Sequence, residues 1–175
     1  MAKLSIKIKG LEELKKKLNA NGQKELLNDI SMEMEIASND IRNGAVSRVP
    51  VDQGFLRNSI TVDGRDLKWI VYVGADYGAF QEFGTKTKVE VPAEMQDVAN
   101  QFRNKKLSQG KFREAIAAWM RRKGIPDDAI FPIMAKIMRI GVSPKPFLYP
   151  SFKEVTTGNK VEKQIDSIIQ SYLNK

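Results

Sequence analysis

Apolar residues at Leu27, Ile30, Met34, Ala37, Ile41 and Ala45 recur at spacings of three and four until the chain approaches Pro50. No other feature constrains the fold as strongly. That spacing places the six side chains on one face of a long helix beginning soon after Gly22. Pro50, which lacks the N–H that a further helical turn would use, stops it. The stripe needs a partner surface, and the strands downstream are the candidates. Residues 59–63 and 67–73 read as two strands joined by a hairpin turn around Asp63-Gly64-Arg65-Asp66. In the second, Leu67, Trp69, Val71 and Val73 alternate with Lys68, Ile70 and Tyr72, so one face is apolar.

Elsewhere the same periodicities give a coarse map. Leu4, Ile6 and Ile8 alternate with polar residues as a strand ending at Gly10, and Leu11, Leu14 and Leu18 share a short helical face that residues 19–22 interrupt. Residues 78–83 make a helical turn before Gly84, which is read as a left-handed stop. Residues 86–91 alternate as a strand. Residues 94–124 are mainly helical, with a break at 108–110 and an apolar side of Ala115, Ile116, Trp119 and Met120. Pro126 and Asp127 open a further helix carrying Ile130, Ile133, Met134 and Ile137 to Gly141, with Pro132 confined to its first turn. After Pro144, Pro146 and Pro150 the chain ends in a helix from about residue 159, with Val161, Ile165, Ile168, Ile169 and Tyr172 on one face.

At 175 residues and 42% apolar content the chain is long enough for one well-buried core, so one domain with an insertion is expected. No run approaches the roughly 20 apolar residues of a membrane span, and the first ten residues lack the apolar region of a signal peptide, so the expectation is a soluble protein that starts in a cytoplasm. The chain has no cysteine and no histidine. Thiolate metal sites, cysteine nucleophiles and the commonest general base near neutral pH are therefore excluded. A carboxylate pair or an oxygen-ligand cation site is what chemistry remains, and no tight acidic cluster supports either. Asp127 and Asp128, just after Pro126, fit helix capping better than metal binding.

The net charge of +8 is unevenly spread. Between residues 101 and 124, Arg103, Lys105, Lys106, Lys111, Arg113, Arg121, Arg122 and Lys123 face one acid, Glu114, a local net charge of +7. Three readings stand: a solvated helix face, contact with DNA phosphates along a channel, or contact with an acidic surface on a neighbouring subunit. Phe102, Phe112 and Trp119 lie among these charges at a spacing that fits a buried helical face better than a base-stacking platform.

Three short motifs carry the remaining information. The first runs from Arg48 through Pro50, Asp52, Gly54, Leu56, Arg57 and Ser59 to Ile60: Pro50 ends the helix, Asp52 accepts backbone N–H groups in a turn, Gly54 permits a positive φ, and Leu56 and Ile60 face the core. The second is Val73-Gly74 followed by Tyr77, Phe80, Glu82, Phe83, Gly84 and Thr85. The third is Lys145-Pro146-Phe147-Leu148-Tyr149-Pro150-Ser151-Phe152.

In this order the motifs resemble the tail-component family of lambdoid-type long-tailed bacteriophages, whose members serve as tail-completion or neck proteins joining head to tail. The resemblance covers roughly 120 of the 175 residues and departs from the family at about residues 86–142, a mainly helical, basic insertion. It implies an α+β fold, with the long helix on a mainly antiparallel sheet, the helical insertion and a C-terminal helix. It implies a non-enzymatic virion protein of the neck or tail, in the host cytoplasm during assembly, without cofactor or membrane. Copies are expected in a ring around the DNA exit axis, with hexamers the commoner expectation. Expected partners are a head–tail connector or stopper protein and tail tube or terminator proteins, with non-specific contact to genomic DNA in the channel left open.

Within that picture Arg57 and Glu82 are candidates for an ion pair within or between subunits, or are two exposed charges of little energetic weight. Tyr77, Phe80 and Phe83 either pack under the sheet or face the next ring. Phe147 and Leu148 read as core anchors of a segment that the surrounding prolines hold extended. The rival readings are a small basic DNA-binding protein using the insertion and, more remotely, a carboxylate enzyme with a divalent metal.

Overall fold

The computed structural model describes residues 18–75, 77–85, 93–103 and 109–174. The strands expected at residues 4–8 and 86–91, and the helical face of Leu11 and Leu14, lie outside them. The chain divides into two compact units, one of residues 79–145 and the other of the described residues up to 78 together with those from 146 onward.

The second unit is organised by the long helix α1, Ala20–Arg48. The interruption expected at residues 19–22 holds its start: Asn19 is the N-cap, and its Oδ1 accepts from the Gly22 N–H at 2.8 Å. The helix ends at Arg48, with Val49 as C-cap and Pro50 next. Its buried residues are Leu26, Ile30, Ala37, Ser38, Ile41 and Ala45. Leu26 therefore replaces Leu27 in the expected stripe, because Leu27 sits one position round the helix and is only half-buried.

A one-turn helix, α2, Phe55–Asn58, leads into the antiparallel hairpin β1, Ile60–Arg65, and β2, Lys68–Val73. The register runs from Ile60 opposite Val73 to Arg65 opposite Lys68, leaving a two-residue turn at Asp66-Leu67. This turn lies later than expected. Gly64 is inside the strand, where a Cβ would stand 2.5 Å from the Lys68 carbonyl oxygen and 2.7 Å from the Trp69 Cα. The glycine thus permits close backbone approach, and Asp66 takes the left-handed conformation with φ 54°. Among the described residues the sheet is this hairpin alone. It packs on α1, as expected for an α+β fold. Arg42 Nε donates to the Ile60 carbonyl at 3.0 Å, and Trp69 Nε1 donates to Ser31 Oγ at 3.3 Å.

After the second unit resumes at residue 146 it adds α7, Leu148–Thr156, and α8, Lys160–Leu173. The proline-rich segment stays non-helical through Pro146 but turns helical from Leu148, where an extended chain was expected. Pro150 is the third residue of α7, where no intrahelical N–H bond is required, so the proline favours a helix start. Both helices pack on α1. One core cluster joins Leu26, Ile30 and Ala37 to Val161, Ile165 and Tyr172. Another joins Ala45, Val49, Leu56, Ile60 and Phe147. Each Val, Leu, Ile or Phe side chain among them contributes about 1.5–3 kcal/mol when fully buried.

The other unit contains most of α3, Gly78–Phe83, followed by α4, Gln96–Arg103, α5, Gln109–Lys123, and α6, Ile130–Ile140. Gln109 and Gly110 open α5, so neither belongs to the break expected at residues 108–110. Met120, Ile130 and Met134 form its buried cluster, covered by Phe112, Ile116, Ala117, Trp119 and Ile133. Ala117 takes the place expected for Ala115, which is exposed. Pro132 sits in the first turn of α6 and Gly141, at φ 85°, caps its end, both as expected. Asp127 and Asp128 lie in a short 3-10 turn before α6, and no side-chain cap bond forms there, so their role reduces to charge at a helix N-terminus.

Two strands of backbone close this unit where its chain enters and leaves. The Thr85 N–H donates to the Val142 carbonyl at 3.0 Å, the Val142 N–H donates to Thr85 Oγ1 at 2.8 Å, and the Lys145 N–H donates to the Gln81 carbonyl at 2.8 Å. Gly84 and Gly141 both have positive φ, and a Cβ on Gly141 would fall 1.9 Å from the Thr85 carbonyl oxygen. Gly84 is the left-handed stop expected from its place after α3.

Candidate assembly surfaces

The first motif is a folded corner. Pro50 is half-buried and Asp52 exposed, Gly54 is left-handed at φ 79°, and its carbonyl accepts from the Asn58 N–H at 2.8 Å. Leu56 and Ile60 enter the core as expected. Ser59 Oγ donates to the Leu56 carbonyl at 2.8 Å, while the Ser59 carbonyl accepts from the Gly74 N–H at 2.9 Å. The corner leaves Val51, Arg57 and, at 69% exposure, Phe55 open to solvent. Phe55 escaped sequence reasoning, although it stands one residue from buried Leu56 on a single helical turn and so cannot share its face.

The second motif divides by burial. Tyr77 is exposed, so of the two alternatives packing under the sheet does not apply to it; Phe80 is half-buried and Phe83 buried. Glu82 is only 5% exposed, so it is not one of two solvated charges, whereas Arg57 is exposed. In the third motif Phe147 is 1% exposed, Leu148 packs against its cluster, Pro150 is half-buried and Pro146 is exposed. Phe147 and Leu148 are the core anchors expected of them.

Beside this anchor lies a polar junction that the sequence did not signal. Ser151, buried, donates from Oγ to the Phe147 carbonyl at 2.6 Å and accepts from Arg48 Nη1 at 3.1 Å. Arg48 also donates to the Gly44 carbonyl at 3.1 Å and pairs with Glu154. Near the other end of α1, Tyr172 Oη donates to Asp29 Oδ2 at 2.7 Å. That hydrogen bond to a carboxylate, reinforced by burial and by the negative charges of Asp29 and Glu25, pushes the tyrosine pKa up to about 12.

An open groove of about 540 Å3 runs beside this junction. Ile36, Ala37, Val155 and Val161 line it, with Glu33, Asp40, Arg48, Glu154 and Lys160 among its polar residues. Between residues 25 and 40, α1 carries Glu25, Asp29, Glu33, Glu35 and Asp40 and no basic residue. Met32 and Ile36 are exposed on the same stretch. This acidic, apolar-studded helix surface is a further feature that sequence reasoning passed over.

In the other unit, Arg113, Arg121, Arg122 and Lys123 are exposed on α5, the last three in its final turn, where cations complement the helix dipole. Arg113 Cζ stands 5.5 Å from the centroid of the Phe131 ring. Phe112 and Trp119 pack in the unit's core, as their spacing indicated. Lys105 and Lys106 lie outside the described residues, as do the side chains of Arg103 and Lys111. On α6 Phe131, 66% exposed, is followed by exposed Ala135, Lys136, Met138, Arg139 and Ile140.

Among the described residues no group of three or more His, Cys, Asp or Glu side chains could hold a metal ion. No described helix is long and apolar enough to cross a membrane.

The family model described as "Bacteriophage HK97-gp10, putative tail-component" matches residues 12–84. The matched segment includes α1, the corner, the hairpin and α3; the first motif and the second up to Gly84 lie within it, the insertion and the third beyond it. No curated protein and no solved structure matches the chain.

Proposed function

We propose that this chain, similar over residues 12–84 to the tail components of bacteriophages, is a structural, non-enzymatic virion protein that joins the head connector to the tail as a ring of copies. The family match carries the reading. It falls on the segment whose residues build the long helix, the corner and the hairpin, so the similarity extends over consecutive elements rather than isolated motifs. A scaffold of this kind suits assembly: its core is closed by α7 and α8, while Phe55, Tyr77 and Phe131 stay at the surface, where large aromatic side chains favour contacts with other proteins. Partners on this reading are the head connector or stopper on one side and tail tube or terminator proteins on the other, at the neck of the particle, with assembly in the host cytoplasm.

The test is disruption of the gene in its parent phage or prophage, followed by induction and electron microscopy of the lysate. Full heads beside unattached or overlong tails are expected. Intact infectious particles would overturn the reading. A second reading, a small basic DNA-binding protein, draws on the exposed cations of α5. It requires binding of duplex DNA by the free protein that weakens steeply with salt, whereas a ring subunit meets DNA only after assembly.

A further inference from the structure

The helix α6 has the sequence Ile-Phe-Pro-Ile-Met-Ala-Lys-Ile-Met-Arg-Ile. Every residue except Lys136 and Arg139 is apolar. A surface helix ordinarily carries one apolar stripe and a polar remainder. Here Ile130 and Met134 are buried, with Ile133 and Ile137 half-buried beside them, and the opposite side is apolar too. Phe131, Ala135 and Met138, at positions i, i+4 and i+7, form a second stripe that is exposed. The only polar groups on this outer face are cations, and Arg113 of α5 adds a third where it lies over the Phe131 ring. The face is therefore apolar with a basic border.

Its complement is present in the same chain. The α1 stretch from residue 25 to 40 has five acids and no base, and its exposed apolar residues are Met32 and Ile36. Ile36 continues into the groove, where Glu33, Asp40 and Glu154 outnumber Arg48 and Lys160. Residues 79–145, which contain α6, hold thirteen bases against seven acids, so that part of the chain is basic as a whole. One surface is acidic around apolar side chains and the other basic around apolar side chains, so two copies fit head to tail.

We propose that the outer face of α6 in one copy docks on the acidic, groove-bearing face of α1 in the next, with Phe131 entering the apolar part and Lys136 and Arg139 meeting Glu33 and Asp40. The contact is heterologous, using different surfaces on the two partners. Repetition of such a contact produces a closed ring when its rotation closes and a filament when it does not. The inference rests on the reading of the chain as a ring subunit and supplies that reading with its subunit contact. It also gives the basic insertion a partner, an acidic protein surface rather than nucleic acid.

The experiment is charge reversal with rescue. One variant carries Lys136→Glu and Arg139→Glu, and the other carries Glu33→Lys and Asp40→Lys, all at positions outside the buried core. Sedimentation velocity at low salt reads self-association, and circular dichroism verifies that each variant folds. The unchanged chain is expected to associate, less so as salt rises. Each variant is expected to associate at least about tenfold more weakly, because like charges then face each other. An equimolar mixture of the two variants restores association, since every copy meets a partner of opposite sign. A wild-type chain that stays monomeric at low salt, variants that associate like wild type, or a mixture that gains nothing would each overturn the proposal. Loss of binding to a random-sequence duplex by the Lys136/Arg139 variant, with association unchanged, would assign the face to nucleic acid instead. Particle morphology in lysates is read separately, so a failed contact with intact neck function, or the reverse, remains distinguishable.

Discussion

Gly44 of α1 and Ser151 of α7 lie so close that a Cβ on the glycine would stand 3.0 Å from the Ser151 Cβ and 3.1 Å from its Oγ. The two helices meet there because one residue has no side chain and the other a small one whose hydroxyl is held by the Phe147 carbonyl and Arg48. Alanine at position 44 would gain up to about 1 kcal/mol in helix propensity over glycine, which offsets part of the steric cost. Valine gains less and adds two methyl groups against a rigid neighbour. Gly44→Val is expected to lose about 1–3 kcal/mol of stability through overpacking, measured by urea denaturation.

The ion pair beside this contact carries less weight. Arg48 and Glu154 have 36% and 65% of their side-chain surface exposed, so water screens the attraction. Glu154→Ala is expected to change stability by no more than about 1 kcal/mol. A larger loss in the same denaturation assay would mean that the pair acts as a rigid part of the junction rather than as a surface contact.

Legibility in the sequence followed physical range. The long helix, its stop before Pro50, the burial of Leu56, Ile60 and Phe147, and the C-terminal stripe through Val161 and Ile165 rest on local periodicity and backbone chemistry, which one sequence displays. Helix α7 is hidden because prolines flanking Phe147 and Leu148 indicate an extended chain, although a proline in a first turn favours a helix start. The hairpin turn was misplaced because Gly64 answers to the bulk of Trp69 across the strand pair, a contact that exists only once the register is set. The groove and the bond between Asp29 and Tyr172 join residues far apart along the chain, and no local pattern announces them. The proposed assembly surfaces are half visible: the basic insertion stands out by composition, whereas the acids of α1 are interleaved with the buried stripe of the same helix and form no run of their own.

The pairing of Tyr172 with Asp29 makes stability depend on alkaline pH. Tyrosine ionises near pH 10 in an unfolded chain, and the folded protein holds the proton to about pH 12. A raised folded pKa contributes stability that is fully present below pH 10 and is lost as pH rises through 12. Tyr172→Phe removes that dependence together with the hydrogen bond. Thermal melts at intervals from pH 8 to pH 12 are expected to show wild type more stable than the variant at pH 8, with the difference shrinking above pH 10. A difference that stays constant across the range would mean the bond to Asp29 does not hold the phenolic proton.

The closure of the unit of residues 79–145 yields the sharpest expectation. Gly141 has φ 85°, and the space where its side chain would stand is occupied by the Thr85 carbonyl group. Gly141→Ala therefore meets a penalty of about 1–3 kcal/mol for a backbone region (φ 85°, ψ −177°) essentially confined to glycine, and a backbone clash that no side-chain rotation relieves. Thr85→Val is milder, removing only the hydroxyl that accepts from the Val142 N–H and costing about 1–3 kcal/mol for the donor left without it. Hydrogen exchange resolved by peptide separates local from global effects: both variants are expected to lose protection in α5 and α6, Gly141→Ala more than Thr85→Val. Protection at Leu26, Ile30 and Ile165 should hardly change if the two compact units open independently. Equal loss in both would show that they unfold as one, and that the closure at Thr85 and Val142 stabilises the whole chain.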